Sequence, residues 1–510
     1  MSFVPESFLP KSIIEFRTYN GRRFVADLLA GVTVGLVALP LAMAFAISSG
    51  VSPQSGIYCA IVAGFLVSAL GGSKTQIGGP TGAFVVVVAG IVAKYGVDGL
   101  YMCTLLGGLL LLGLGITGLG TAVKFIPRPV VIGFTNGIAV LIASTQIKDF
   151  FGLKVDKVPG EFGGRMVTLA EHLQTLSLPA TLLAAGSLIA IILLNRWLKR
   201  VPGTVVVLLV ATAIAVIAKL PVETIETRFG GIPAGLPHFT LPRFRPELIT
   251  VLLPSAMTVA MLGAIESLLS AVVSDRMSKD KHNPNVELVA QGVANIASPL
   301  FGGLPATGAI ARTATSIRSG ATSPMAGMIH AVTLLLILLF AAPLAKHIPL
   351  AILAAILFVV SYNMGEWREI PSILKLTRSD IAVWLITFLL TVFADLTVAV
   401  EAGMILAALV YIRKVTATTT VSEVTPEYIE AGHVHILQHK EIPEGVAIFR
   451  IHGPFLFGST DKLAELETRL DDLPPVLILR LRNMTAIDAT GLGALENLSE
   501  LLHASGRHLI

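Results

Sequence analysis

The chain has 510 residues, 54% hydrophobic and only 14% charged, with a mean hydropathy of +0.79. Soluble domains carry about 25% charged residues, so lipid must be the solvent over most of this chain. The net charge of +4 reads as basic cytoplasmic loops rather than a nucleic-acid surface, since no Lys/Arg block with interleaved aromatics occurs.

Residues 1–23 have no short apolar core with a cleavage site and hold Lys11, Arg17, Arg22 and Arg23. They read as a cytoplasmic N-terminal segment rather than a signal peptide. A spanning helix needs roughly 20 apolar residues. That ruler finds apolar runs at roughly 24–49, 55–70, 81–93, 99–119, 129–147, 179–194 and 203–217. Seven more follow, at roughly 246–273, 286–300, 307–317, 324–344, 350–362, 381–393 and 396–412. Polar loops are expected at 148–174 and 219–245. The expected fold is an all-α polytopic membrane protein with about 14 transmembrane segments. The transmembrane domain covers 24–414, with repeat 1 over about 24–220 and repeat 2 over about 246–414.

With the N-terminus inside, alternate loops should be basic. They carry Lys74; Lys124 and Arg128; Arg196, Lys199 and Arg200; Arg276, Lys279 and Lys281; Arg318; Arg368, Lys375 and Arg378; and Arg413 and Lys414. An odd number of helices per half makes the halves inverted, as in many transporters. Glycines at 107, 108, 113 and 115 read as close helix contacts. Cys59 and Cys103 lie in apolar runs and form neither a disulfide framework nor a metal site.

After Lys414 the apolar runs stop. Residues 415–510 read as a linker and a small α/β domain: strands at 445–457 and 476–481, helices at 461–470 and 489–504, and Asp488 as an N-cap. A further strand begins near Leu509-Ile510, so this domain is expected to be truncated at its C-terminus.

Two polar segments interrupt the apolar sequence at matching places in the two halves: Thr75-Gln-Ile-Gly-Gly-Pro-Thr-Gly-Ala83 and Gly302-Gly-Leu-Pro-Ala-Thr-Gly-Ala-Ile-Ala-Arg312. Paired broken helices point to a binding site at the repeat interface. Pro80 and Pro305 stop any preceding helix, so the next helices should start near Thr81 and Thr307. A helix start presents unpaired N–H groups and about half a positive charge, which is costly in hydrocarbon unless filled. Two starts facing each other would be filled by an anion. Thr81, Gly82 and Ala83 with Thr307, Gly308 and Ala309 are therefore candidate ligands, and Arg312 would add a full charge. The bland alternative is an Arg312 that snorkels to the interface. Phe45 could line the site or be ordinary packing.

Glu266, in the run 246–273, is an intramembrane acid and a functional candidate by position. It could carry a coupling proton, help to hold Na⁺, or make a structural hydrogen bond. No P-loop, zinc motif or hydrolase set occurs, so the chain is not expected to be an enzyme, and no cofactor or metal is expected beyond the coupling ion, H⁺ or Na⁺.

On these residues the sequence resembles the SulP anion permeases, the bacterial relatives of solute carrier family 26. The resemblance rests on Leu39-Pro-Leu-Ala-Met-Ala-Phe-Ala-Ile-Ser-Ser-Gly50, Gly78-Gly-Pro-Thr-Gly-Ala83, Thr307-Gly-Ala-Ile-Ala-Arg-Thr-Ala314 and the C-terminal domain. That domain looks like a STAS domain with Met484-Thr-Ala-Ile-Asp-Ala-Thr-Gly491 as its signature loop. The resemblance implies a 7+7 inverted repeat split into core and gate domains, interrupted third and tenth helices, an elevator-like motion, a homodimer and a cytoplasmic STAS domain. It implies a small anion near Phe45 and Arg312: sulfate, bicarbonate, chloride or a C4-dicarboxylate. An acid that is Glu rather than Asp at position 266 resembles the proton-coupled members more than the sodium-dependent bicarbonate members. Thr490 stands where related STAS loops carry a phosphorylated Ser, which makes regulation or a cytoplasmic partner there conceivable beside a plain helix-start role. The expected function is thus proton-coupled symport of sulfate or a C4-dicarboxylate in a bacterial inner membrane. A sodium-dependent bicarbonate transporter, an uncoupled anion channel and a membrane anchor for display of the STAS domain are the alternatives. The lipid bilayer is an expected partner; nucleic acid is not.

Overall fold

The computed structural model describes residues 9–121, 127–155, 158–197, 203–231, 235–243, 245–394, 396–424, 442–469 and 472–510. Lys124, Lys199, Arg200 and most of the linker expected after 414 lie outside these residues. The chain divides into two compact units, residues 1–404 and 405–510.

In the first unit the helices are α1 (Lys11–Phe16), α2 (Gly21–Ser48), α3 (Pro53–Leu70), α4 (Gly82–Ile116), α5 (Arg128–Phe151), α6 (Phe162–Glu171), α7 (Leu178–Trp197), α8 (Gly203–Ile217), α9 (Ile225–Phe229) and α10 (Ile249–Ser278). There follow α11 (Pro284–Leu300), α12 (Ile310–Arg318), α13 (Met325–Ala345), α14 (Leu350–Met364), α15 (Ile370–Ile373) and α16 (Arg378–Phe393), and α17 (Leu396–Thr418) runs across the unit boundary. Between α3 and α4 lies β1 (Gly78–Gly79), and between α11 and α12 lies β2 (Thr307–Gly308). Each expected apolar run falls on a helix, with ends shifted by a few residues. Among the described residues, eight helical stretches are long and apolar enough to cross a membrane.

The runs at 81–93 and 99–119 are two arms of α4, turned at Gly96, whose φ of 71° favours glycine. Two expected loops contain helices. Residues 148–174 hold α6, which buries Arg165 and Leu169 on one face, with Leu169 packed beside Leu153 and Val155. Residues 219–245 hold the short α9. Both helices are too short to stand out by apolar length.

The helices form two packed groups. In one, α4 lies against α10 and α11, and α2 and α3 lie against α13. In the other, α5 lies against α14 and α16, and α14 against α7. Close packing in the first group needs small residues: a methyl group at Gly108 would stand 2.8 Å from the Ile296 nitrogen and 2.9 Å from the Gly292 carbonyl. Gly107 and Gly115 are similarly tight, whereas Gly113 faces open space, so its expected packing role does not hold.

The second unit holds β3 (Thr420–Glu423), β4 (Val446–Phe455), α18 (Asp461–Glu467), β5 (Val476–Ile487), α19 (Ala489–Ala504) and β6 (His508–Leu509). The sheet order is β3-β4-β5-β6, with β3 antiparallel to β4 and the other pairs parallel. Phe449, Ile451, Phe455, Leu463, Leu477, Leu498 and Leu502 fill its core. Asp488 caps α19 as expected, accepting from the Gly491 N–H at 2.8 Å, and also accepts from the Phe457 N–H at 3.0 Å. These bonds hold its carboxyl below the ordinary aspartate range. β3 lies in the stretch expected to be linker; four residues alternate too briefly to be read as a strand. β5 runs on to Ile487 and α19 starts at Ala489, so the first half of the 484–491 signature stretch is strand and its end is the helix start rather than loop.

Candidate functional site

The two broken segments meet. β1 and β2 pair antiparallel, Gly78 with Gly308 and Gly79 with Thr307. The pairing extends through the Ala309 N–H, which donates to the Ile77 carbonyl at 2.8 Å. The first segment thus leads into α4 and the second into α12 from a shared two-strand junction.

The α4 side follows the sequence reading closely. Thr81 is extended (φ −128°, ψ 161°) and is the N-cap; α4 begins at Gly82. The α12 side differs. A helix starting at Thr307 is expected, but Thr307 and Gly308 are strand and α12 begins at Ile310. Their groups are already committed. The Thr307 hydroxyl lies 2.6 Å from that of Ser267 and donates to the Gly263 carbonyl at 3.1 Å, and the Gly308 N–H donates to Ser267 Oγ at 3.2 Å. Thr307 and Gly308 therefore clamp the junction onto α10. The exposed start of α12 is at Ile310 and Ala311 instead.

Gly308 is required by its neighbour. A Cβ there would fall 1.6 Å from Gln76 Nε2, which crosses it to donate to the Ser267 carbonyl at 3.1 Å. The same face of α10 carries Ser270, in hydrogen-bond contact with Thr313, and Ser274, in contact with Thr75. Thr313 in turn accepts from the Ile77 N–H. The broken segments are thus stitched to α10 by short hydroxyl side chains.

Glu266 and Arg312 flank one dipeptide. Thr81 Oγ1 donates to Glu266 Oε2 at 2.9 Å, and Arg312 Nη2 donates to the Pro80 carbonyl. Arg312 is only 2% exposed, so it does not snorkel to an interface. Among the described residues its Nη1 has no hydrogen-bond partner, and it lies so close to Gly79 that a Cβ there would fall 2.7 Å from it. Among the described residues Glu266 and Arg312 form no direct ion pair; the Pro80–Thr81 dipeptide stands between them. Arg312 is a charge beneath the α4 start rather than a side chain open to solvent.

The approach to Gly82 is narrow and apolar. A Cβ on Gly82 would lie 3.0 Å from Ile142, 3.2 Å from the Met364 sulfur and 3.4 Å from Phe45. Phe45 is thus brought to the α4 start. Ile142 of α5 and Met364 at the end of α14 were not legible as site residues, being ordinary apolar residues in distant runs. Gln76 lies inside the first broken segment, yet nothing in the sequence aims its amide at Gly308. Ala83 is buried within the first turn of α4 and Ala309 caps α12. Thr490 lies in the second unit, exposed in the first turn of α19. Among the described residues no cluster of three or more His, Cys, Asp or Glu side chains is assembled to hold a metal.

The arrangement can present the N–H groups and partial positive charge of a helix start, a full buried charge, and one acid that neutralises them when ionised. Broken helices joined at the meeting of two halves of a membrane chain define a transporter-type integral membrane protein. The chain belongs to the sulfate permease family, whose profile matches residues 24–387. The STAS domain profile matches residues 438–510. The chain is 42% identical to "Putative sulfate transporter YvdB" of Bacillus subtilis, over 95% of this chain and 90% of that one. It is 32% identical to "Bicarbonate transporter BicA" of Synechocystis, over 97% and 88%. Among solved structures, the transmembrane domain of a cyanobacterial BicA aligns with a TM-score of 0.68 at 33% identity, over 76% of this chain and 98% of that one. Murine Slc26a9 in its inward-facing state aligns with a TM-score of 0.88 over 100% and 89%, and at 19% identity it speaks to the fold alone.

Proposed function

We propose that the chain is a secondary active transporter that carries sulfate or a C4-dicarboxylate together with a proton. Anion binding at the start of α4 and protonation of Glu266 favour each other. The observation that carries this reading is the Thr81–Glu266 hydrogen bond at the same dipeptide that accepts from Arg312. An ionised Glu266 offsets the positive field of the helix start and Arg312; a protonated one leaves that field to the anion. Such coupling is reciprocal by thermodynamic necessity. The anion would meet the N–H groups of Gly82 and Ala83 and those at the α12 start, with Phe45 beside it. Thr307, Gly308 and Ala309 would serve by holding the junction.

The two packed helix groups suit an elevator-like motion of the α4–α12 group against the α5–α14–α16 group. The loop charges favour an inner membrane with the N-terminus and STAS domain cytoplasmic. A homodimer and a partner at Thr490 belong to the same reading. The BicA relatives favour one second reading, sodium-dependent bicarbonate transport, in which Glu266 stays ionised beside Na⁺.

The test is uptake of labelled sulfate, succinate and bicarbonate into proteoliposomes under imposed pH or Na⁺ gradients, for the natural chain and Glu266→Gln. Accumulation driven by the pH gradient is expected in the natural chain and lost in the variant. Accumulation of bicarbonate under a Na⁺ gradient alone supports the second reading. An uncoupled channel would leave anion conductance unchanged in Glu266→Gln. If no anion accumulates under any gradient, active transport is rejected.

A further inference from the structure

A cavity of about 570 Å³ opens between α4, α5, α6, α10 and the end of α16. Its wall includes Val86, Gly90 and Lys94 of α4, and Leu141 and Thr145 of α5. Val86 lies one turn along α4 from Gly82, so the cavity reaches to within a turn of the α4 start. Leu141 of the same wall immediately precedes Ile142, whose side chain lies over Gly82.

Its charge is unusual. Arg165 lies in the wall yet is only 4% exposed. Its guanidinium donates to neutral acceptors: the Pro159 carbonyl at 3.3 Å, Ser144 Oγ at 2.9 Å and the Gly160 carbonyl at 2.6 Å. Among the described residues no carboxylate lies within ion-pair distance of it. Burial alone lowers its affinity for its proton. A buried charge without an opposite partner is costly. Lys94, exposed and 5.2 Å above the Tyr95 ring, adds a second cation, and Glu161 is the one acid in the described wall. A concave, low-dielectric wall with surplus positive charge focuses its field and concentrates anions.

We infer that this cavity is an anion vestibule, in which Arg165 and Lys94 hold a small inorganic anion on its way to or from the start of α4. The inference rests on the anion-transport reading for its purpose, though not for its measurement. Arg165 also pins α6 to α5, so the decisive variant is at the exposed Lys94.

The experiment introduces an indole reporter, Phe162→Trp, in the cavity wall of the full chain in detergent. Quenching by iodide, an anion, is compared with quenching by neutral acrylamide, with and without Lys94→Glu, after subtracting the parent's signal. Iodide should quench about threefold less steeply with Lys94→Glu at low ionic strength, and the gap should close in high salt. Acrylamide should quench both alike. Equal iodide quenching at low salt, or the same ratio with acrylamide, overturns the vestibule. In liposomes, Lys94→Glu should raise the half-saturating sulfate concentration and leave the maximal rate unchanged; a lowered maximal rate with unchanged half-saturation overturns its role in capture. Charge-selective quenching in a protein that carries no sulfate, succinate or bicarbonate would leave the vestibule standing and reject transport.

Discussion

At the scale of single residues, Thr81 is the pivot. Its hydroxyl donates to Glu266, and its backbone begins α4. A hydrogen bond to a charged group is worth about 1.5–3 kcal/mol. Thr81→Val, which keeps the shape and removes the donor, should therefore slow pH-driven sulfate uptake on the order of tenfold. Thr81→Ser should stay near the natural rate, because the donor remains. Equal uptake by both variants would show that the bond is idle. Thr81, Glu266 and Arg312 were each readable from the sequence, since charge in an apolar run and Gly/Pro beside Thr are local signals. Their placement on either side of the Pro80–Thr81 dipeptide was not, because the three lie on separate segments that only the fold joins.

At the scale of elements, the β1–β2 junction is the main departure from expectation. The sequence suggests two equal helix starts, Thr81-Gly82-Ala83 and Thr307-Gly308-Ala309. The folded chain breaks that equality: the first is a helix N-cap, and the second is a strand clamped to α10. The matching position to Arg312 in the first half is Val86, so charge already sets the halves apart in the sequence, but the clamp appears only when α10 is packed against them. Gly308→Ala would push the Gln76 amide off the Ser267 carbonyl and should lower stability by roughly 1–3 kcal/mol, as overpacking does. The measurement is the unfolding midpoint in detergent. Adding Gln76→Ala should recover part of the loss, since the clash and the lost bond share one partner; fully additive losses would contradict the contact. The serine face of α10 follows the same logic. Ser267, Ser270 and Ser274 look like ordinary small residues until their hydroxyls meet Thr307, Thr313 and Thr75.

At the scale of the whole molecule, the two units have separate cores. A chain ending at Lys414 is expected to remain monodisperse in detergent and to retain gradient-driven sulfate uptake at a rate within about threefold of the full chain, as a domain with its own core can. Loss of uptake by a folded truncated chain would make the STAS unit part of the transport machinery. The sequence by itself determined the class of the protein, because hydropathy, loop charge and glycine-proline breaks are properties of short stretches in a bilayer that forbids unpaired backbone. It also located the two breaks, the intramembrane acid and the buried arginine. Only the tertiary structure decided which groups are free to act. It committed Thr307 and Gly308 to the junction, brought Ile142 and Met364 over Gly82, and turned an expected polar loop into α6 with the buried Arg165. These outcomes depend on contacts between residues far apart in the chain, and burial and hydrogen bonding across such distances leave no periodic trace in the sequence.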